Sequence, residues 1–506
     1  MEEKKLTRRN FIGAAAIGAA ALAAGGLAAC SPGDSSGTGS SGDSAPASDG
    51  SWDEAVDLLI CGSGGAGLSC AVEAKDAGVE NVKIVEKRSN IGGTTTTSQG
   101  MIAGFDTQLQ KAQGVTLTYD QMYANLMDNA SYRLDQALTK ITVERSGQTI
   151  DWLIDRVKVP FNEKVIVGYG PLEMMHIVEE GGAGFAKAFT DLLDELAVPI
   201  ETESKLVDIV LDSEGNVAGA VVDTRQGTKR IQAKAIMLAT GGYSYNPELT
   251  ERLDPEKAGT FGIGYLGSEG DGLIAASNAG AMLSHTNDMM CVLKDYVIMS
   301  EHEGTSASAN VNGFTLLPNM ILVGAEGKRF VNEGAPGFMS QDLNGPVFNQ
   351  MHRDNLGYVW QISDEATIAA TEGKTKRGEE LEYIKGADAA ELAANMGVDP
   401  EGLAATIDAY NAAVDAGFDA EFGRVPTAKL EAPFVALPVV PCEIITYGGI
   451  GRSENGEVIK ADNTPIPGLF VAGEASCNSA YMGFTLSNCF TWGRIGGQSA
   501  AAYLSA

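Results

Sequence analysis

The sequence predicts an α/β protein: a Rossmann-like dinucleotide-binding domain on a parallel sheet with a small antiparallel insertion, plus an inserted α+β capping domain. Three observations predict it. Residues 57–100, DLLICGSGGAGLSCAVEAKDAGVENVKIVEKRSNIGGTTTTSQG, read as strand, glycine turn, helix and strand. Short apolar strands that run into glycines recur at 235–242 and 468–475. Between these two, the texture changes over 290–438 to mixed loops with two helical stretches.

The chain opens on an address. Thr7-Arg8-Arg9-Asn10-Phe11-Ile12 is a twin-arginine pattern, and an apolar Ala/Gly-rich run follows over 13–29. Leu27-Ala28-Ala29-Cys30 resembles a lipobox whose cysteine becomes the lipidated first residue. The run is short and rich in Gly and Ala, a poor fit to a spanning helix. Residues 1–30 are therefore expected to export the protein by the twin-arginine pathway and to leave it lipid-anchored at Cys30 outside the cytoplasm. That anchor is its expected membrane contact, and 31–52, rich in Gly, Ser, Asp, Ala and Pro, is a flexible tether.

The first part of the nucleotide-binding domain is expected at 53–289. Its opening strand is 58–61, and Gly62, Gly64 and Gly67 supply the G-x-G-x-x-G turn. The three glycines serve a tight turn, close backbone approach to a pyrophosphate, and close helix–strand packing. The helix starting near Gly65 points its amides and positive dipole end at that pyrophosphate. A second strand, 82–85, ends on Glu86, where a carboxylate meets the ribose hydroxyls of an adenosine. Two helices are expected over 119–153, and Gly181-Gly182-Ala183-Gly184-Phe185 introduces another that runs to about 196. Strand-like runs at 207–211, 217–224 and 229–233, divided by turn residues, give the antiparallel insertion. A buried strand at 235–239 runs into Thr240-Gly241-Gly242, and GSEGDG at 267–272 precedes a helix over 273–279. Within the capping domain, helices are expected near 388–395 and 400–414. The nucleotide-binding domain returns over 439–506 with a strand at 468–472, a turn at Gly473-Glu474-Ala475 and a terminal helix at 487–502.

Composition narrows the partners. The chain carries 36 basic and 66 acidic residues, a formal charge of −30. That excludes nucleic acid and gives an anionic substrate no electrostatic help. Beyond Cys30 the cysteines stand at 61, 70, 291, 442, 477 and 489, without C-x-x-C, haem-attachment or ferredoxin spacing. They read as small buried residues. The histidines at 176, 285, 302 and 352 show no metal-ligand spacing, so no metal is expected.

Together, GSGGAGLS at 62–69, EK at 86–87, IGGTTTTSQG at 91–100, LATGGY at 238–243, GDGL at 270–273, EGKRFVNE at 326–333 and GLFVAGEAS at 468–476 resemble the fumarate reductase and succinate dehydrogenase flavoproteins, in particular their soluble single-chain branch. The resemblance covers essentially all of the chain from Asp57 and implies FAD. It places cofactor contacts at Gly62, Gly64, Gly65, Ala66 and Gly67, at Glu86 and Lys87, and at Gly92, Gly93, Thr94, Thr95, Ser98 and Gly100 along the flavin edge. Further contacts are implied at Val207, Thr240, Gly241, Asp271, Gly473 and Glu474. Leu486 and Ser487 fall where the terminal helix aims its N-terminus at the flavin's pyrimidine ring, a dipole that favours the anionic reduced form. Members that attach FAD covalently use a histidine just before this stretch. Threonines stand here, so non-covalent FAD is implied.

The departures from the family are equally informative. The family clamps a dicarboxylate with histidines and arginines and protonates it with an arginine. Ile445 stands where one clamp histidine belongs, no arginine follows Asn332-Glu333, and Ala480 replaces a third cation. Two unpaired buried carboxylates would cost several kcal/mol each, which argues against fumarate as substrate. Tyr-x-Gly at 481–483 is similar instead to the ketosteroid dehydrogenases of the same superfamily, although that family's second tyrosine is Gly337 here. Tyr481 and Tyr447 are the candidate donors to a ketone oxygen, with the Gly483 amide beside them. His176, His285, His302 and Arg452 are weaker polar candidates, and Met174, Met175, Met289, Met290 and Met320 could line an adaptable apolar pocket.

The expected protein is an exported FAD enzyme, fumarate reductase-like, that reduces an activated C=C bond in a small enone or unsaturated acid and serves as a respiratory electron sink. A separate membrane-linked or small soluble redox protein would supply its electrons. One alternative is a ketosteroid-type 1,2-dehydrogenase using the same site to desaturate a ketone. The other is a lipoprotein that binds a small molecule without redox chemistry.

Overall fold

The computed structural model describes residues 51–168, 171–301, 319–334, 341–370, 381–426, 428–478 and 483–506. The leader, its lipobox and most of the tether lie outside these residues, as do His302, Gly337, Ala480 and Tyr481. The described residues from Trp52 onward form one compact unit.

In chain order, the elements that position the site begin with β1 (Glu54–Cys61), α1 (Gly65–Asp76), β2 (Val82–Glu86), α2 (Gly93–Thr97) and β3 (Met101–Ala103). There follow α3 (Gln136–Trp152), β4 (Glu173–Ile177), α4 (Gly182–Glu195) and β5 (Ile200–Thr202). The strands β6 (Lys205–Leu211), β7 (Val217–Thr224) and β8 (Gly227–Leu238) lead to α5 (Asp271–Asn278). The second sheet is built on β9 (Met289–Asp295), β10 (Ile321–Val323), β11 (Val359–Asp364) and β12 (Phe434–Thr446), with helices α6 (Ala389–Met396) and α7 (Pro400–Ala416) between the last two. The chain closes with β13 (Glu457–Ile459), β14 (Pro465–Val471) and α8 (Phe484–Ser505).

The main sheet runs β13-β14-β8-β1-β2-β5, with β6 and β7 attached through β8. From β14 to β5 all pairings are parallel, with Leu58 opposite both Val82 and Ala235, and Met237 opposite Phe470. The sequence places two strands at 229–233 and 235–239. They are one strand, β8, antiparallel to β7 over its first half and parallel to β1 over its second. Its burial changes at the same point. Side chains alternate buried and exposed over 231–234, then all are buried from 235 through Leu238, as the sheet passes from one solvated face to two covered ones.

α8 packs against α1 on one face of this sheet. The crossing is close because Gly493 and Gly497 of α8 face Ala66 and Cys70: a Cβ at Gly493 would sit 2.3 Å from the Ala66 carbonyl oxygen. Phe490 completes the contact, its ring 4.8 Å from Phe185 and stacked 5.7 Å from Phe189 of α4.

The second sheet centres on β12, which pairs antiparallel with β9, β11 and 384–386 and parallel with 261–262. One face, with Leu322, Leu437 and Val439, joins the cluster around Met289, Met320 and Phe348. The other, with Ile321, Trp360 and Ala436, is covered by Leu392 of α6 and Leu403 and Ile407 of α7. β12 runs uninterrupted past residue 438 to Thr446 and so carries the second sheet directly to the edge of the first. Beside this sheet the fully buried Glu333 accepts from Arg329 Nε at 2.9 Å, Arg329 Nη2 at 2.7 Å and Arg424 Nη1 at 2.9 Å, while Arg329 Nη1 reaches Asp419 at 2.7 Å. Removing one partner from such a network strands a buried charge. Glu333→Leu, which removes the carboxylate shared by both arginines, is therefore expected to destabilise the fold by about 3–5 kcal/mol, read as an earlier urea transition.

Candidate functional site

The carboxyl ends of β1, β2, β8 and β14 open on a cleft lined among others by Cys61, Glu86, Ala239 and Ala472. In parallel α/β sheets this edge is where ligands bind. Gly62 makes the turn with φ +107°, and a Cβ there would lie 2.2 Å from the Ala239 carbonyl oxygen. Gly67, one helical turn on, faces the Gly62 carbonyl oxygen at 2.0 Å from an ideal Cβ, so it does not line the cleft but lets α1 sit against β1. Gly64 is different: no atom lies within 4 Å of a Cβ built there. It lines the cleft at the start of α1, whose N-terminus carries no side-chain cap and no acidic residue in its first turn. Helix amides and an open backbone face are what a pyrophosphate requires.

The expected adenosine end is braced by one serine. Ser63 donates its N–H (2.9 Å) and hydroxyl (2.7 Å) to Glu86 Oε2 and accepts the Gly92 N–H at 3.1 Å. Glu86 Oε1 accepts the Arg88 N–H at 2.8 Å. A carboxylate offers about four lone-pair directions, so these bonds orient Glu86 without exhausting it. Lys87 bridges Glu269 at 2.8 Å and Asp271 at 2.5 Å, and Lys205 reaches the second Asp271 oxygen at 3.0 Å. Val207 does not line the cleft; its side chain is 41 % exposed, and its strand neighbour Leu206 lines it instead. Alternation along a strand makes that one-residue difference a change of face.

Toward the other end, Gly65, Ala66, Gly93, Thr94, Thr95, Thr240 and Gly241 line the cleft, and Thr95 Oγ1 accepts the Gly65 N–H at 3.0 Å. Gly92, Ser98 and Gly100 stand behind this wall. Gly92 is the left-handed N-cap of α2, while Ser98 donates 2.7 Å to the Thr95 carbonyl and accepts the Gly100 N–H at 3.3 Å. Gly473 and Glu474 close the cleft opposite. Glu474 Oε1 accepts the Thr446 N–H at 3.0 Å, tying the end of β12 to this wall, and burial raises its carboxyl to about 7. Of α8, Cys489 faces the cleft. Leu486 is buried in the core behind it, and the Ser487 hydroxyl is engaged with the Ala103 carbonyl at 2.5 Å. Sequence reasoning missed Ser204, Leu206, Tyr265, Gly267, Ser268 and Cys489, which also line the cleft. Tyr265 sits in an irregular loop without a motif, whereas Gly267 and Ser268 open the GSEGDG run, read there only as the approach to a helix.

Tyr447 and Gly483 are brought to one neighbourhood. Gly483 is the N-cap of α8 at φ +82°, its carbonyl accepting the Ala103 N–H at 3.0 Å. Tyr447 is buried in an apolar cluster with Phe484, Met174, Met175 and Met290, against which Ile444 and Ile445 pack. Met289 and Met320 belong to the second sheet's core instead. Arg133, 3.2 Å from Asp288, stands near the same strand end; the Tyr447 N–H donates to the Asp288 carbonyl at 2.8 Å. His285 is an exposed residue with φ +55° whose ring meets Ser284 Oγ at 2.7 Å. His176 lies outside the cleft, between Thr107 Oγ1 (2.8 Å from Nε2) and the Met174 carbonyl (3.1 Å from Nδ1). Arg452 is buried with neutral partners, Ser476 and Asn488.

The geometry fits a dinucleotide, and comparisons with known proteins agree. The profile of the FAD binding domain family matches residues 57–487. The chain is 28 % identical over 468 residues to a fumarate reductase (cytochrome) of Shewanella frigidimarina, covering 89 % of this chain and 78 % of that one. It is 28 % identical over 473 residues to a urocanate reductase of Eggerthella lenta, covering 88 % and 75 %. In fold it is similar to a 3-ketosteroid-Δ4-(5α)-dehydrogenase from Rhodococcus jostii, with a TM-score of 0.71 at 24 % identity over 90 % of this chain and 98 % of that one.

His176 gives the fold a pH signature. Burial depresses it from an ordinary 6.5 to about 4. Between those values the unfolded chain binds the extra proton, so the contribution is whole above pH 6.5 and is lost as pH falls toward 4. Urea denaturation is expected to show this acid-side loss in the parent, and a shallower one in His176→Gln.

Proposed function

The chain belongs to the FAD binding domain family, and from that premise we propose that it is an FAD-dependent reductase of an activated carbon–carbon double bond carried by a neutral or singly charged small molecule. FAD held by the Gly62–Gly67 turn, Glu86, Thr94 and Thr95 would supply hydride chemistry to the alkene. The chain's own residues orient the substrate, polarise its carbonyl and deliver a proton to the α-carbon. The relatives named as fumarate and urocanate reductases support the reaction class. The observation that carries the substrate reading is the apolar cluster of Ile445, Tyr447, Met174, Met175, Met290 and Phe484, in which Ile445 takes the position that the resemblance gives to a clamp histidine.

Tyr447 and Tyr481 are the proposed hydroxyl donors to the carbonyl, with the Gly483 amide as a second donor and either tyrosine as proton source. The positive end of α8 adds a fixed field at the same place. The second sheet and its helices act as a cap that excludes water from the reduced cofactor. FAD is held non-covalently: Thr94 and Thr95 line the cleft and no histidine stands among its described lining residues. The leader exports the protein and anchors it at Cys30, and a separate membrane-linked or small redox protein supplies electrons. The same site run in reverse is a ketone dehydrogenase, a second reading favoured by Tyr-x-Gly at 481–483.

The test is anaerobic. The purified protein is reduced with dithionite and offered neutral enones and aryl-substituted acrylic acids, and the oxidised form is offered saturated ketones. Rapid reoxidation by an enone or aryl acrylate is the expected result. Bleaching of the oxidised form by a saturated ketone, with no reoxidation by any alkene, would establish the dehydrogenase instead. Glu474 gives a second expectation. Hydroxyl donors of FAD favour its ionised carboxylate, so FAD uptake by the apoprotein should strengthen as pH rises through about 7. Glu474→Gln should flatten that dependence in a fluorescence titration.

A further inference from the structure

Arg452 is 4 % exposed, and its guanidinium meets neutral partners. Nη1 donates 2.7 Å to Ser476 Oγ, Nη2 donates 3.1 Å to Asn488 Oδ1, and the group stacks 3.8 Å from the centroid of the Trp492 ring. Its buried Nε meets no acceptor. Among the described residues no carboxylate comes within ion-pair distance. Asp135 acts on it from farther away and accepts the Leu138 N–H at the start of α3. Arg329 and Arg424, whose side chains are also nearly covered, contrast with it, sharing Glu333 between them. An unpaired buried cation is expensive, and burial pulls Arg452 down to about 10.

Its position identifies where the missing negative charge belongs. Ser476 Oγ, which receives Nη1, donates 2.7 Å to the Gly473 carbonyl, and Gly473 lines the cleft. Asn488, which receives Nη2, precedes Cys489, the α8 residue that faces the same cleft. The guanidinium therefore stands one side chain behind the wall that the Gly473 turn and the first turns of α8 share. Helix dipole and guanidinium act there with the same sign.

We propose that Arg452 is a potential-setting residue: its uncompensated charge is the counter-charge for the electron-rich reduced state of FAD bound in the cleft, and it raises the two-electron potential of that cofactor. The inference rests on the FAD reading above. Arg452 touches neither substrate nor cofactor in this arrangement. It acts through the field and through Ser476 and Asn488, so it is a positioning residue rather than a catalytic one.

The test is the reduction potential of FAD on the full-length protein, measured anaerobically against reference dyes for the parent, Arg452→Gln and Asn488→Asp. Arg452→Gln removes the charge and keeps hydrogen-bonding capacity. Asn488→Asp leaves Arg452 in place and supplies the carboxylate it lacks, in the same shape. Both are expected to shift the equilibrium toward oxidised flavin by about tenfold, which for a two-electron couple is about 30 mV. If Arg452→Gln does not fold, Asn488→Asp decides alone. Flavin bound at the parental potential in each folded variant would overturn this inference and leave the cofactor reading standing. A parent protein that takes up no FAD would overturn both.

Discussion

The close crossing of α8 over α1 is the constraint from which the rest of the site follows. Gly493 and Gly497 let the two helices approach until side chains on one meet backbone on the other. That contact fixes the C-terminal helix against the glycine turn of the first βαβ unit, although more than four hundred residues separate them in sequence. With α8 fixed, its N-terminus lands on β3 through the Ala103–Gly483 bond, and Cys489 lands on the cleft wall. A helix N-terminus is useful to a reduced cofactor only if it is held at the right place, and two glycines in the middle of the helix hold it.

A second tie joins the two sheets. β12 belongs to the second sheet for most of its length, yet its last residue, Thr446, donates to Glu474 in the wall of the first sheet's cleft. The residues on either side, Ile445 and Tyr447, are thereby brought to the place where the resemblance locates substrate. The apolar and sulfur-rich character of that place is as much a product of β12 as of the helices beneath it. Methionine side chains at such a site adapt to shape and supply no charge. Among the described residues of that cluster none offers a cation to a dianion leaving water, whereas a neutral enone would lose little hydration.

Much of this was legible in the sequence because the nucleotide site is local. Gly62, Gly64, Gly67 and Glu86 lie within 25 residues of one another, and each has a backbone or carboxylate duty that no other residue type performs as well. The continuous strand β8 was not legible, since Lys234 interrupts an apolar run at the point where the sheet gains its second cover. β12 was obscured by Pro438 and Pro441, which read as breaks but stand inside a paired strand. Val207 and Leu206 show the limit of motif transfer: a strand has two faces, and one residue decides which side chain meets the ligand. Arg452 follows an ordinary glycine turn, and nothing in the linear pattern marks it as a buried cation. Its character comes from Ser476, Asn488 and Trp492, which meet it only in three dimensions.

The proposed selection against paired carboxylates can be tested with one alkene in two charge states. Chemically reduced protein is mixed anaerobically with fumarate or with its neutral dimethyl ester, and flavin reoxidation is followed in the visible spectrum. The proposed substrate reading requires that the ester reoxidise the flavin and that fumarate do so far more slowly. Faster reoxidation by fumarate would mean that cations elsewhere in the chain hold both carboxylates, and would contradict the reading that the substrate carries at most one charge.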